Sequence, residues 1–224
     1  MYEVDPDGDL IIILHSSEEQ FAPWDDQDDK PTVSPTFLEC DATVETGGLQ
    51  VTTDGASPTS SITLPRSWHF KVSSKHLILA SPRFKKMLTG DWKEAKTVNE
   101  DGYRHVTLDA GFDPEALKLF LDIIHGRIRK VPKSLDLEML AKVSILVDDL
   151  ECHEEVELFR DIWLKDMSTS SPTEYSRDLV LWILVSSVFY KPELFEFTTR
   201  TAILYSTERI QTLGLPLRDV IVGK

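Results

Sequence analysis

The first apolar run comes almost at once: Leu10-Ile11-Ile12-Ile13-Leu14 follows Asp9 and the turn-forming Asp5-Pro6-Asp7-Gly8. A short β-branched run bounded in this way predicts a strand buried on both faces. Trp68, Phe70 and Val72 then alternate with Ser67, His69 and Lys71, the period of two that gives a strand one buried face, ending near Ser73. From there the pattern turns helical. Ser73 or Ser74 caps a short helix carrying Leu77, Ile78 and Ala80, and Ser81-Pro82 reads as an N-cap followed by proline at the first helical position. Phe84, Met87 and Leu88 form the stripe of that second helix, at spacings of three and four.

Downstream, His105-Val106-Thr107-Leu108 predicts one more strand. Asp113-Pro114 repeats the cap-and-proline signal before Leu117, Phe120, Leu121 and Ile124, and Gly126 closes that helix. Asp136 caps a helix with Leu137, Leu140, Ser144 and Val147 inward, and the next has Val156, Phe159, Ile162 and Trp163 on one face. Ser176 caps the apolar stretch 179–185. Lys191-Pro192 ends that helix and starts another carrying Leu194, Phe197, Thr201 and Tyr205. The run 179–189 contains Ser186 and Ser187 and is far short of the roughly 20 apolar residues that cross a bilayer, so it predicts a helix buried in protein.

Residues 15–65 break the pattern. They hold ten acidic residues against Lys30 alone, with many Thr, Ser, Pro and Gly, and predict a long, partly disordered insertion. That stretch carries nine of the chain's net fourteen negative charges, either as a solvated loop or as an acidic docking tail. The excess acid argues against a nucleic-acid partner. No basic stretch leads into an apolar one at Met1-Tyr2-Glu3-Val4-Asp5, so no secretory signal is expected. Cys40 and Cys152 lack any CxxC partner and read as unpaired, inert thiols of a reducing compartment, cytoplasm or nucleus.

Motifs for chemistry are missing. Nothing matches GxGxxG, a P-loop, GxSxG or HExxH; in His153-Glu154-Glu155-Val156-Glu157 a glutamate stands where the second metal-binding histidine belongs. Of six histidines only His69 and His76 fall near each other in sequence, so ordinary histidines are expected rather than a metal site. The neighbours Asp148-Asp149 and Glu154-Glu155 diverge by about 100° on a helix and cannot share a proton. The expectation is a protein with no catalytic residues, no cofactor and no metal.

The order strand, helix pair, strand, helix and helical hairpin, with Phe70-Lys71-Val72-Ser73-Ser74-Lys75-His76-Leu77-Ile78-Leu79-Ala80-Ser81-Pro82-Arg83-Phe84-Lys85-Lys86-Met87-Leu88, closely resembles the BTB/POZ family. The likeness continues through Val106-Thr107-Leu108-Asp109, Asp113-Pro114-Glu115-Ala116-Leu117 and Ile124-His125-Gly126 to Ile162-Trp163. Its ending, and the helical tail, look most like BTB proteins of filamentous fungi. The resemblance implies an α+β fold: a small three-stranded sheet flanked by a cluster of helices over 1–165, interrupted at 15–65, with a C-terminal helical extension over 166–224. The positions that define this fold are Asp9, Val72, Ser73, Leu77, Ala80, Ser81, Pro82, Phe84, Met87, Leu88 and Gly126.

Two departures stand out. Ser73 replaces the histidine of many animal members, and the chain starts at the first core strand, without the upstream helix and strand that many members exchange to form swapped dimers. BTB adaptors of cullin ubiquitin ligases often carry a hydrophobic residue, any residue, then glutamate after the second helix; here that triplet is Trp92-Lys93-Glu94, preceded by Asp91. The resemblance therefore implies a protein-interaction module docking on a cullin through Asp91, Trp92, Lys93 and Glu94. Two alternatives stand beside it: Trp92 packs back onto its own domain, or the module is a self-assembling or nuclear regulatory scaffold without ligase linkage.

Overall fold

The computed structural model describes residues 1–15, 20–24, 67–90, 97–108, 111–167, 172–206, 209–218 and 221. The acidic stretch, Cys40 and the candidate docking residues Asp91, Trp92, Lys93 and Glu94 lie outside them, apart from His15 and residues 20–24.

The described residues form an α+β fold. Strands β1 (Tyr2–Glu3), β2 (Leu10–His15), β3 (Ser67–Val72) and β4 (Arg104–Leu108) make one mixed sheet in the order β1-β3-β2-β4. β2 runs antiparallel to β3, pairing Ile12 with Phe70, and parallel to β4, pairing Ile12 with Val106. With two neighbours and two covered faces, β2 buries Leu10, Ile11, Ile12 and Leu14, as its unbroken apolar run predicts.

The sheet has four strands rather than the expected three. The addition is β1, parallel to β3 with Tyr2 opposite Phe70, so a strand precedes the one expected to open the chain. Two residues are too few to show a period of two. β1 is held by its pairing with β3, by Arg127, which donates to the Glu3 carbonyl at 2.8 Å, and by stacking of the Tyr2 ring on Phe70 at 5.4 Å and on Trp68 at 5.7 Å, all contacts remote in sequence.

Seven helices follow among the described residues: α1 (Ser74–Ala80), α2 (Pro82–Thr89), α3 (Pro114–Ile124), α4 (Leu137–Asp149), α5 (Glu157–Met167), α6 (Arg177–Val188) and α7 (Pro192–Tyr205). Their starts are set locally. The Asp113 carboxylate accepts from the amides of Glu115 and Ala116, Asp136 from Met139, and Ser176 from Leu179. α3 packs on β3 and α1, α4 on α3, α6 on α4 and α7 on α6. α6 is buried all round, including Ser186, whose hydroxyl donates to the Ile183 carbonyl. No helix of the described residues is long and apolar enough to cross a membrane.

Two helix faces differ from the sequence pattern. In α5, Phe159 and Trp163 point inward and Val156 is buried just before the helix, but Ile162 is 40% exposed, because α5 presents only a narrow face to the core. In α7 the buried positions are Thr198, Thr201 and Ala202, while Phe197 and Tyr205 face outward. Threonine reads as polar, yet Thr198 and Thr201 hydrogen-bond the carbonyls of Leu194 and Phe197 at 2.9 Å and so enter the interface with their hydroxyls satisfied.

Candidate partner-binding surface

α1 begins directly at the end of β3, and its first amides need acceptors. Ser73 occupies the N-cap position with extended backbone, but its side chain makes no capping bond. The cap comes from elsewhere: Asp9, at the start of β2, accepts from the Ser74 amide at 2.8 Å through Oδ1 and from the Ser74 hydroxyl at 2.7 Å through Oδ2. Arg104 of β4 completes the arrangement by donating to the same carboxylate at 2.6 Å. Burial works to raise the Asp9 pKa, but the hydrogen bonds from Ser74 and Arg104 outweigh it and hold the carboxyl below its ordinary value.

The Ser73 amide is satisfied from the other side. It donates at 3.0 Å to Nε2 of His125, whose Nδ1–H donates at 2.8 Å to the Leu121 carbonyl. Gly126, at φ +67°, turns the chain away after α3 and leaves the His125 ring over the junction. Burial chiefly, and the nearby His76 and Arg127, push the His125 pKa down, against the hydrogen bond to the Leu121 carbonyl and the pull of Asp5.

Between α1 and α2, the Ser81 hydroxyl caps the Phe84 amide at 3.0 Å and donates to the Leu150 carbonyl at 2.6 Å, with Pro82 opening α2 as the sequence predicts. Arg83 pairs with Asp149 and donates to its carbonyl at 3.2 Å, so that carboxylate is recruited to hold α2 against the end of α4. Val72, Leu77, Ala80, Phe84 and Leu88 are buried beneath the pair and Met87 is half-buried.

Locking one face inward leaves the other outward. Leu79 is 85% exposed, and together with Ile78, Pro82, Lys75 and Lys85 it lines an open groove of about 650 Å³ between α1 and α2. The chain matches no model of a protein family and no curated protein.

Two buried or half-buried ionisable groups elsewhere, Cys152 and Lys142, are held in their unreactive forms. Burial, then Glu155, pushes the Cys152 thiol well up, so it stays protonated. In a cleft of about 1030 Å³ that also includes Phe21 and Leu215, Lys142 lies 2.9 Å from Glu138 and 3.1 Å from Asp113. Burial opposes its charge, but those hydrogen bonds prevail and raise its pKa, keeping it an ammonium. Both carboxylates are occupied with it, and Arg177 adds a bond to Glu138 at 2.7 Å.

Sequence reasoning missed the histidine pairing. His76 approaches His125, not His69, with ring centroids 4.9 Å apart, and Asp5, His76 and His125 bring one ligand atom each within 4.8 Å of one another. Both nitrogens of His125 are already bonded, however. A metal at that trio would strip the acceptor from the Ser73 amide or the donor from the Leu121 carbonyl.

Proposed function

We propose that this protein is a non-catalytic interaction module of the BTB/POZ type that docks on a cullin ubiquitin ligase. The observation that carries the reading is the β3–α1–α2 unit. The residues on which the resemblance rests fall together there, with Asp9 bonded to Ser74 from across the sheet and Ser81-Pro82 starting α2. Its mechanism is surface complementarity alone: the core positions of α1 and α2 hold the pair rigid, and outward side chains are presented to a partner.

In this reading Trp92 supplies the apolar anchor and Glu94 the orienting charge. Co-purification tests it. The wild-type chain brings down a cullin, and the double variant Trp92→Ala, Glu94→Ala stays folded but loses it; a folded wild type that retains no cullin removes the ligase link.

A further inference from the structure

Residues 20–24 belong to no helix or strand, and 16–19 and 25–66 on either side lie outside the described residues, yet α4, α6 and the residues just before α6 hold this short segment firmly. Arg177, in the first turn of α6, donates through Nε to the Ala22 carbonyl at 2.8 Å and through Nη2 to the Phe21 carbonyl at 3.0 Å. Glu138 of α4 accepts from the same guanidinium at 2.7 Å and fixes its direction. The Lys142 ammonium lies 5.2 Å from the centroid of the Phe21 ring, and Trp24 packs on Tyr175 with ring centroids 5.5 Å apart. Between the two rings Ala22 is 4% exposed and takes φ +47°, a left-handed conformation that alanine resists, so its surroundings impose it.

This contact has the make-up of a protein–peptide interface rather than of a core: a guanidinium fork reads two backbone carbonyls, and two aromatic anchors sit half-buried on either side of one small buried residue. We infer that Glu138, Lys142, Tyr175 and Arg177 form a recognition site for an extended peptide of the pattern aromatic–small–proline–aromatic. The chain's own Phe21-Ala22-Pro23-Trp24 occupies the site in this structure, and a segment of that pattern in a partner protein competes for it. Burial of Ala22 restricts that position to a small residue, and Pro23 stiffens the segment so that less order is lost on docking. The tether sets the order of affinities, because a segment in the same chain acts at an effective concentration of about millimolar. A second copy brings the identical segment and so no advantage over the tethered one. A partner gains one by reaching further along the cleft, which Phe112, Leu213 and Leu215 also line. The inference does not involve residues 91–94, so it and the cullin reading can fail separately.

The experiment is anisotropy titration of a fluorescein-labelled peptide of residues 19–25 with the full chain, as wild type and as the double variant Phe21→Ser, Trp24→Ser, which no longer fills its own site. The double variant is expected to bind the peptide saturably and to melt at a higher temperature in its presence, while wild type binds it at least tenfold more weakly. Adding Arg177→Lys, which keeps the charge but loses the fork, should weaken binding to the double variant about tenfold. A peptide with serine in place of its Phe and Trp should not bind. Trp24→Ser alone is measured in parallel, and gives the same order of affinities if the double variant does not melt cooperatively. Absence of binding to folded variants, binding indifferent to Arg177→Lys or to the peptide's two aromatic residues, or wild type binding as tightly as the variants overturns the inference. So does a concentration-dependent wild-type dimer that the double variant loses, which would put a second copy's segment in the site.

Discussion

Asp9 and Ser74 are 65 positions apart in sequence, yet the carboxylate of one takes both the amide and the hydroxyl of the other, at 2.8 and 2.7 Å. The start of the central strand thereby sets where α1 begins, and through α1 the direction in which Leu79 and Lys75 project.

Removing that carboxylate should loosen α1. Asp9→Ala leaves the Ser74 amide and hydroxyl without their acceptor and is expected to destabilise the protein by about 1–3 kcal/mol in urea unfolding. Asp9→Asn, which keeps one acceptor oxygen, should lose less. Because the folded pKa of Asp9 lies below its ordinary value of 3.8, its contribution is complete above that value and disappears as pH falls through the lower folded one. An Asp9→Ala protein as stable as wild type at neutral pH would contradict this role.

His125 predicts a second pH dependence at milder acidity. Its folded pKa is lowered from 6.5, so the neutral ring that accepts from Ser73 contributes fully above about pH 6.5 and is lost as pH falls through the folded value. Thermal melting followed from pH 7.5 to about pH 5 should show wild type losing stability across that window. His125→Gln, which can accept from Ser73 but does not titrate, should flatten the curve. Asp5, His76 and Arg127 face the ring, so His76→Gln is the matching control.

Gly8 is required for close approach. A Cβ there would lie 2.5 Å from the Val72 carbonyl oxygen and 2.9 Å from its nitrogen, both backbone atoms that cannot step aside. Gly8→Ala is expected to cost about 1–3 kcal/mol, read as a lower urea midpoint. A neutral effect would mean that the turn before β2 moves freely against β3.

Much of this was legible in sequence wherever the information lies within four residues. Ser81-Pro82, Asp113-Pro114, Asp136 and Ser176 each announce a helix start, and each side chain caps the helix it precedes. The Ser73 cap did not follow, since both of its functional partners, Asp9 and His125, arrive from remote parts of the chain. Periodicity also identifies an apolar stripe without saying whether anything covers it, which is why Ile162, Phe197 and Tyr205 fall on the apolar pattern and yet are exposed. The groove was invisible for a related reason: the sequence shows Leu77, Ile78 and Ala80 as the helix's apolar positions, and only the packing of α1 on α2 and α3 shows that Leu79 stays outward. Residues 91–94, read from the triplet alone, lie outside the described residues, and their role rests on the resemblance.

Isothermal titration of the purified full chain with a purified cullin tests the central claim most directly. A module of this type should bind one to one, and Glu94→Ala should weaken binding by tenfold or more at unchanged melting temperature, as loss of an interface hot spot does. Absence of heat at tens of micromolar from a folded wild-type chain, or binding indifferent to both Trp92→Ala and Glu94→Ala, would contradict it.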